Sequence, residues 1–492
     1  MKLRHLLEHL SATPMLKALI PFVVGIALAD LYVLPLWLLA GAFVCTGILA
    51  LLLRSQTAAI GMLLAAGFAI AEWQEPTSTL PLGIDTGYEL RIDGIPTQRN
   101  GYTAAEATIT AWRDPLKGQW HAAEDRILLR ADTLITLRSD ERLRCHGRLR
   151  PLQGGAESYR RLMARRGMVG VLWIGERNLL EQHPEKHDTW HSRAVKRLKR
   201  LTLPTEAEAL VRAMTAGDRS GIDSALRDNF ARSGFSHLLA VSGLHTGIVF
   251  ALINLLLWGL PLVRRGHLWR TVAVTVAVWL FVAVAGFPPS AIRAGVMCTL
   301  LQFSLISGSE YSALNALATA AFGMLLWNPA WLGDISFQLS FIAVAAILCW
   351  GIPLCRRLRS RWRGLNIVID ALIISVVANI ATIPLVSHTF GIVSLTGILL
   401  NPIAILLATG IVAGGVIWLL LPFGWVATVV EPFIAVTTEA LGTLAHQTAE
   451  LHGGVIEYAL PTGAMVTIYL VFIGTTLVAW SQKPKKIVTL RR

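Results

Sequence analysis

The sequence predicts a polytopic α-helical membrane protein carrying an inserted small OB-like β-barrel domain. Three observations predict it. The chain is 54% hydrophobic and only 15% charged, with a mean hydropathy of +0.56, whereas a soluble chain carries roughly a quarter charged residues. Long apolar runs crowd residues 15–71 and return from 237 to 480. Between them, residues 85–175 alternate apolar and polar positions with period two, punctuated by Gly, Asn-Gly and Pro. The net charge of +13 is accounted for first by cytoplasmic loops, and only afterwards hints at an anionic ligand.

The expected organisation is an N-terminal anchor of about three helices (1–72), an OB-like soluble domain outside the cytoplasm (85–180), a basic amphipathic connector (185–234), a membrane domain of about nine apolar segments (235–482) and a basic cytoplasmic tail (483–492). The opening MKLRHLLEHL and its apolar continuation have signal-peptide character, but the apolar pattern resumes at once, which favours a retained helix. The anchor segments are 15–31, 34–53 and 57–71, the last short for a span of ~20 residues. Lys2, Arg4, Lys17 and Arg54 put the N-terminus and the second loop in the cytoplasm, sending the chain outward after residue 72.

Candidate strands are 88–95, 103–112, 126–137, 141–150 and 169–174, with a helical SYRRLMARRG (158–167) before the last. Along 141–150, Arg142, Arg144, His146, Arg148 and Arg150 share one face, and Leu143, Cys145, Gly147 and Leu149 the other. Such a row tracks phosphates, or is a solvated face whose arginines pair with acidic neighbours. Both readings stay open. Lys186, Arg193, Lys196, Arg197, Lys199 and Arg200, with Val195, Leu198 and Leu201 on one side, describe an amphipathic helix suited to lipid headgroups or to a nucleic acid.

The membrane segments are 237–260, 271–286, 291–307, 311–327, 335–352, 368–387, 392–421, 425–450 and 465–480. Alternating from an outside start puts Arg264, Arg265 and Arg270, the run CRRLRSRWRG (355–364) and the tail lysines and arginines all in the cytoplasm, in agreement with about 12 spans. Segment 425–450 carries Glu431, Glu439 and His446 and is re-entrant or interfacial as an alternative. Four of the five cysteines (Cys45, Cys298, Cys349, Cys355) lie in or beside apolar segments; Cys145 stands alone in the soluble region, with no C-x-x-C spacing.

Polar residues inside apolar segments single out candidate functional positions, because a charge at a helix centre costs roughly 2.5–3.5 kcal/mol. GFPPSAIRAG (286–295) sets Pro-Pro ahead of a Ser290 cap with Arg293 three residues on, an anion-facing corner or a snorkelling arginine. In GDISFQLSF (333–341), Asp334 is a candidate N-cap; Asp334 and Gln338 share a side, with Ser336 and Ser340 roughly opposite. Ser375, Asn379 and Thr382 form a stripe before Pro384 and His388, and Asn401-Pro402 interrupts the next segment, as broken transport helices do.

The stretch 216–250 joins the polar and apolar halves of the chain. His237 and His245 would stand about 80° apart on an unbroken helix, with Ser242 one turn before His245. Zinc would need a third ligand and no His-Glu-x-x-His spacing exists. A Ser242–His245 hydrolase dyad oriented by Asp218 is conceivable. A polar lining or helix-packing role, eased by Ser242-Gly243 and Gly247, is the remaining reading. No G-x-x-x-x-G-K-[ST] loop is present, and no cofactor or metal is implied.

The runs AGDRSGI (216–222), LRDNFARSGFSHLLAVSGLHTGIV (226–249), AGFPPSAIRAGVM (285–297) and NPAWLGDISFQLSF (328–341) resemble the signature of the ComEC family of competence proteins. The anchor, the small barrel and YRRLMARRG are similar to that family's soluble domain. The resemblance implies an inner-membrane channel passing single-stranded DNA to the cytoplasm during natural transformation, with an outer barrel meeting the DNA first. It implies membrane lipids and the DNA-delivery and helicase proteins of the competence machinery as partners, and leaves a homo-oligomer open. Longer members continue into a metallo-β-lactamase-like domain; this sequence ends at Arg492, so a nuclease step is expected from another protein and no enzymatic role from this chain. The expected channel residues are Asp218, Arg219, His237, Ser242, His245, Ser290, Arg293, Asp334, Ser336, Gln338, Ser340 and Asn379. The expected DNA contacts of the soluble domain are Arg142, Arg144, Arg148 and Arg150. The rivals are an intramembrane hydrolase using Ser242 and His245, and a small-solute transporter.

Overall fold

The computed structural model describes residues 13–481 except 30, 33, 75–79, 94–95, 100, 136, 138–140, 153–162, 164–166, 185–189, 261–264, 308–311, 422 and 452–453. Most of SYRRLMARRG and the basic tail therefore lie outside the described residues. The chain divides into two compact units, one of Pro21–Ser192 with Leu325–Asp334 and one of the remainder.

The first unit holds the anchor helices and the sheet. Helices α1 (Pro14–Ala29), α2 (Leu36–Leu53) and α3 (Gln56–Trp73) follow the three apolar segments. The Ser55 side chain caps α3 by accepting from the Ala58 N–H. Helices α1 and α3 cross at glycines: a Cβ on Gly25 would fall on the Leu64 carbonyl oxygen, and one on Gly67 on the Phe22 carbonyl oxygen. In lipid there is little hydrophobic drive between helices, so such backbone-to-backbone packing holds them.

Strands β1 (Asp85–Ile92), β2 (Thr97–Arg99), β3 (Tyr102–Arg113), β4 (Trp120–Ala131), β5 (Glu141–Arg148), β6 (Met168–Ile174) and β7 (Leu179–Pro184) form one sheet. Its path is β6-β4-β3-β1-β5-β7, with β2 beside β3. All pairs are antiparallel except β4 with β6. Tyr88, Leu90, Ile92, Ile127, Leu129, Leu143, Cys145 and Leu172 fill its core. Burial raises the Cys145 thiol to about 12, which marks it as a packing residue rather than a reactive one. The sheet is not closed, against the barrel expectation. β7 already occupies the edge of β5 along Glu141–Cys145. Among the described residues only Arg150 forms a backbone bridge to β6, through paired bonds of 2.9 and 2.8 Å with Val171, and Pro151 then has no N–H to extend the ladder.

The second unit is helical: α4 (Trp190–Leu198), α5 (Thr205–Ala216), α6 (Ser224–Arg232), α7 (Gly243–Leu256), α8 (Gly266–Val284), α9 (Pro289–Ser307), α10 (Ala313–Trp327), α11 (Ile335–Arg357, with a π turn at Ile347–Gly351), α12 (Arg363–Phe390), α13 (Leu395–Leu420), α14 (Gly424–Glu450) and α15 (Thr462–Ser481). A short ribbon pairs β8 (Ile392–Ser394) with β9 (Val455–Glu457). The core joins α5, α6, α7, α8, α13 and α14 around Phe230, Phe235, Val274, Ile411, Ile434 and Leu441. The apolar edge of the connector faces this core, with Leu198 and Leu201 buried. Trp418 Nε1 donates to the Arg197 carbonyl at 2.9 Å, so that edge is not free to lie on lipid.

Among the described residues seven helices are long and apolar enough to cross a membrane, and α1, α7 and α10 are shorter apolar helices. This is a multi-pass membrane protein. Helices α9 and α14 reach span length but are not among the seven. Segment 425–450 is one continuous helix whose buried stripe Val426, Val430, Ile434, Leu441 and Ala445 faces the core.

Replacing Gly67 by Ala is expected to cost about 1–3 kcal/mol through overpacking, read as a lower midpoint of thermal unfolding of the detergent-solubilised chain. Gly41→Ala, where a Cβ meets nothing, is the control and should leave the midpoint unchanged.

Candidate functional site

Helix ends that arrive inside the bundle position the site. Helix α5 stops at Gly217, φ 79°, a left-handed cap that only glycine adopts without strain. A Cβ there would also stand 2.9 Å from the Ala285 carbonyl oxygen, so this turn packs on the end of α8. Beyond it, Asp218 Oδ2 accepts from Arg212 Nη1 at 2.8 Å and Oδ1 from the Ser220 N–H at 3.0 Å. Arg212 and Asp218 are both buried, and Glu208 lies 3.2 Å from Arg212 Nε. Arg219 Nε donates to the Leu239 carbonyl at 3.1 Å. Burial, with Arg227 next, pulls its guanidinium below the ordinary value.

His237 and His245 do not share a helix. A 3-10 turn (Ser236–Leu238) comes first, and the backbone then extends at Ser242 (φ −111°, ψ 170°) before α7 begins. His237 is exposed, its Nδ1 donating to the Gly234 carbonyl at 3.2 Å. His245 is fully buried. Ser242 Oγ accepts from the His245 N–H at 3.4 Å while His245 Nδ1 accepts from the Ser242 N–H at 3.3 Å, a capping box. Nδ1 being an acceptor, the ring proton sits on Nε2, which has no partner among the described residues. The imidazole therefore addresses the serine backbone rather than Oγ, and Asp218 is engaged by Arg212. The hydrolase arrangement is not assembled. No group of three potential metal ligands occurs among the described residues.

Helix α9 begins at Pro289, so Ser290 is not the cap expected from its spacing. Its Oγ instead donates to the Val241 carbonyl at 2.7 Å, tying α9 to the break before α7. One turn on, the Arg293 guanidinium is buried at 6% exposure. A Cβ at Gly243 would fall on its Nη2, and its Cζ stands 5.7 Å from the Phe341 ring centroid in α11. Arg293 thus joins three stretches far apart in sequence: 236–250, 286–295 and 333–341. Gly243, Val241 and Phe341 are contributors that spacing did not reveal; the cue was their place within the same runs. Of the other expected residues in 333–341, Asp334 is buried just ahead of α11, Ser336 is exposed, and Gln338 and Ser340 are half-buried.

Asn379 belongs to another cluster. Pro402 has no N–H for the Ile398 carbonyl, and Ser375 Oγ supplies the missing donor at 3.1 Å. Asn379 Nδ2 donates to the Ser375 carbonyl at 2.9 Å and Asn401 Nδ2 to Ser375 Oγ at 3.4 Å. This polar stripe repairs a broken helix.

On the sheet, the row on β5 alternates as expected, with Arg142, His146 and Arg148 exposed, Arg144 half-buried and Arg150 exposed just beyond the strand. Arg144 pairs with Glu89 (3.0 Å) and Glu181 (3.3 Å), which hold its guanidinium above the ordinary value. It also stands 5.5 Å over the Trp120 ring. His146 meets Asp85 at 3.0 Å. Around the row lie aromatics that strand spacing alone did not flag: Trp112 against His121, and Tyr102 between Trp173 and Arg130.

A family model described as Competence protein matches residues 214–483, more than half of the chain. The chain is similar to ComE operon protein 3 of Bacillus subtilis, 30% identical over 39% of this chain and 24% of that protein. It is similar to an uncharacterized protein of Aquifex aeolicus (31% identical, 35% of this chain, 38% of that protein). Recombination protein 2 of Haemophilus influenzae is 26% identical over 32% of this chain and 20% of that protein. The chain thus spans well under half the length of each of these relatives. No solved structure matches.

Two outcomes follow from the geometry. Asp218→Ala strands a buried arginine and should cost about 3–5 kcal/mol, whereas Arg212→Met with Asp218→Leu should recover most of it, both read by thermal unfolding. Ser242→Ala should cost about 0.5–2 kcal/mol while Ser242→Asn, an equally good cap, stays near the parent; a nucleophilic serine would tolerate neither in an activity assay.

Proposed function

Since the chain belongs to the competence protein family, we propose that it is the inner-membrane channel through which single-stranded DNA enters the cytoplasm during natural transformation. The observation that carries this reading is Arg293, a cation buried where apolar helices meet and paired with no carboxylate among the described residues. A cation in such a place is expensive and is kept for a purpose. A passing polyanion supplies the compensating charge. Ser242, Ser290, Gln338 and Ser340 then serve as the polar wall around it, with His237 on the exposed side. Asp218 and Arg219 hold the approach turn rather than touch the strand.

The sheet is read as an OB-like domain on the outer side. Its five principal strands run β5-β1-β3-β4-β6, the last pair parallel, and the Arg150–Val171 bridge brings the two ends of that series together, as in a partly open five-stranded barrel. Trp120 beside Arg144, with Arg142, Arg148 and Arg150 along the same row, offers stacking and phosphate contacts to one strand. Both termini lie in the cytoplasm, since Arg265, Arg270 and the run 355–364 fall on one side by alternation. Catalysis is no part of this role; membrane lipids, a DNA-delivery apparatus and a helicase are its partners.

Internalisation of labelled DNA should fall to background in a strain lacking this protein and return on complementation. Cysteines placed at Ser242, Ser290 and Gln338, with the native cysteines replaced, should react with a water-soluble thiol reagent and be protected by engaged DNA. Uptake unchanged without the protein, or uniform protection at all three positions in its absence of DNA, sinks the channel.

A further inference from the structure

Helix α7 begins at half-buried Ser242 and Gly243, just ahead of the buried His245, and leaves donors over. Ser242 satisfies two of its first N–H groups, Oγ accepting from His245 and the carbonyl from Thr246. The N–H groups of Gly243 and Leu244 have no acceptor among the described residues. A helix N-terminus with free N–H groups attracts an anion, and a second feature points to the same place. The Arg293 guanidinium lies against Gly243, close enough that a Cβ there would meet Nη2. Its Nε, buried, also finds no acceptor. Nε and Nη2 form one edge of the guanidinium fork, while a face of the plane is taken up by the Phe341 ring. What is left without an acceptor is Nε, on the edge of the fork it shares with Nη2, beside a positive helix end.

We propose that this corner is a binding site for a single phosphodiester group, its two non-bridging oxygens shared between the Nε–Nη2 edge of Arg293 and the N–H groups at the start of α7. Every leftover group is a donor, so the ligand is an acceptor. One full positive charge plus a helix end suits one negative charge, and the flat fork suits two oxygens on one centre. Gly243 is required because any side chain would occupy the arginine's position. Two sources carry this chemistry, the backbone of a DNA strand and a phospholipid headgroup; only the choice of the strand rests on the channel reading.

The test uses the purified full chain in nanodiscs of zwitterionic lipid, with a fluorescent oligothymidylate as probe and phosphatidylglycerol as the lipid probe. For a DNA occupant, Arg293→Gln weakens oligothymidylate binding by at least about tenfold. It also lowers the slope of log affinity against log salt by about 0.7, one phosphate contact on a single strand. Arg293→Lys restores the slope with weaker affinity, and Gly243→Ala, which displaces the guanidinium, behaves as Arg293→Gln. For a headgroup occupant, native mass spectrometry finds phosphatidylglycerol retained by the parent and lost from both variants, with the DNA slope unchanged. If Arg293→Gln does not fold, the Lys and Gly243→Ala variants carry both arms. Salt slope and lipid retention equal to the parent in the folded variants overturn the site. Failure of the parent itself to bind DNA overturns the channel reading and leaves the lipid arm to decide the site.

Discussion

Backbone satisfaction in a medium without water governs the helical unit. Within lipid each N–H and C=O must find its partner inside the protein, yet this bundle ends and restarts helices in its interior. The repairs are local and specific. Gly217 and Gly234, with φ of 79° and 83°, close α5 and α6 by left-handed caps. The Phe235 N–H returns to the Phe230 carbonyl at 2.8 Å and the Phe287 N–H to Val282 at 3.0 Å, the outer bond of the same glycine-terminated turn. Ser375 stands in for the amide that Pro402 lacks. Gly217, Gly234 and Gly286, all at positive φ, lie within the runs that resemble the family.

Two buried arginines within the same unit show how differently a charge can be held. Arg212 has two carboxylates beside it, Asp218 at 2.8 Å and Glu208 at 3.2 Å, with the Ser220 hydroxyl next; its charge is matched, although its buried Nε makes no hydrogen bond, and it locks the turn after α5. Arg293 has an aromatic face and a glycine for neighbours, and its Nε is left without an acceptor. A satisfied buried pair adds shape more than stability, whereas an open cation stores an affinity for something that arrives. The first is scaffold for the second: the turn that Arg212 braces packs on the end of α8 at Ala285, five residues before Ser290.

The sheet meets its own version of the constraint. Its β5 edge is taken by β7, so unpaired backbone there is covered without closing a barrel. The exposed face keeps its arginines partly neutralised by Glu89, Glu181 and Asp85. Such pairs are weak at a surface.

Residue pattern alone determined the class of the protein and the approximate place of the apolar helices, because hydropathy and side-chain period are local properties; of about 12 expected spans, seven helices among the described residues are long and apolar enough to cross a membrane. The nine apolar segments after residue 235 correspond to helices α7 to α15 within a few residues. Strands β2 and β7 escaped notice, being short and without alternation. The hydrophilic runs were also legible as special, since a histidine or arginine in an apolar stretch is costly wherever it folds. Their roles were not. Ser242 as a cap, Ser290 as a tie to Val241, the break that separates His237 from His245, and the pairing of Ser375 with Pro402's lost partner all depend on where helices stop and which carbonyls they leave open. That Arg293 would meet Gly243 and Phe341, residues about 50 apart on either side, is decided only when α7, α9 and α11 pack, because contact across a bundle depends on crossing geometry that no spacing along one chain encodes.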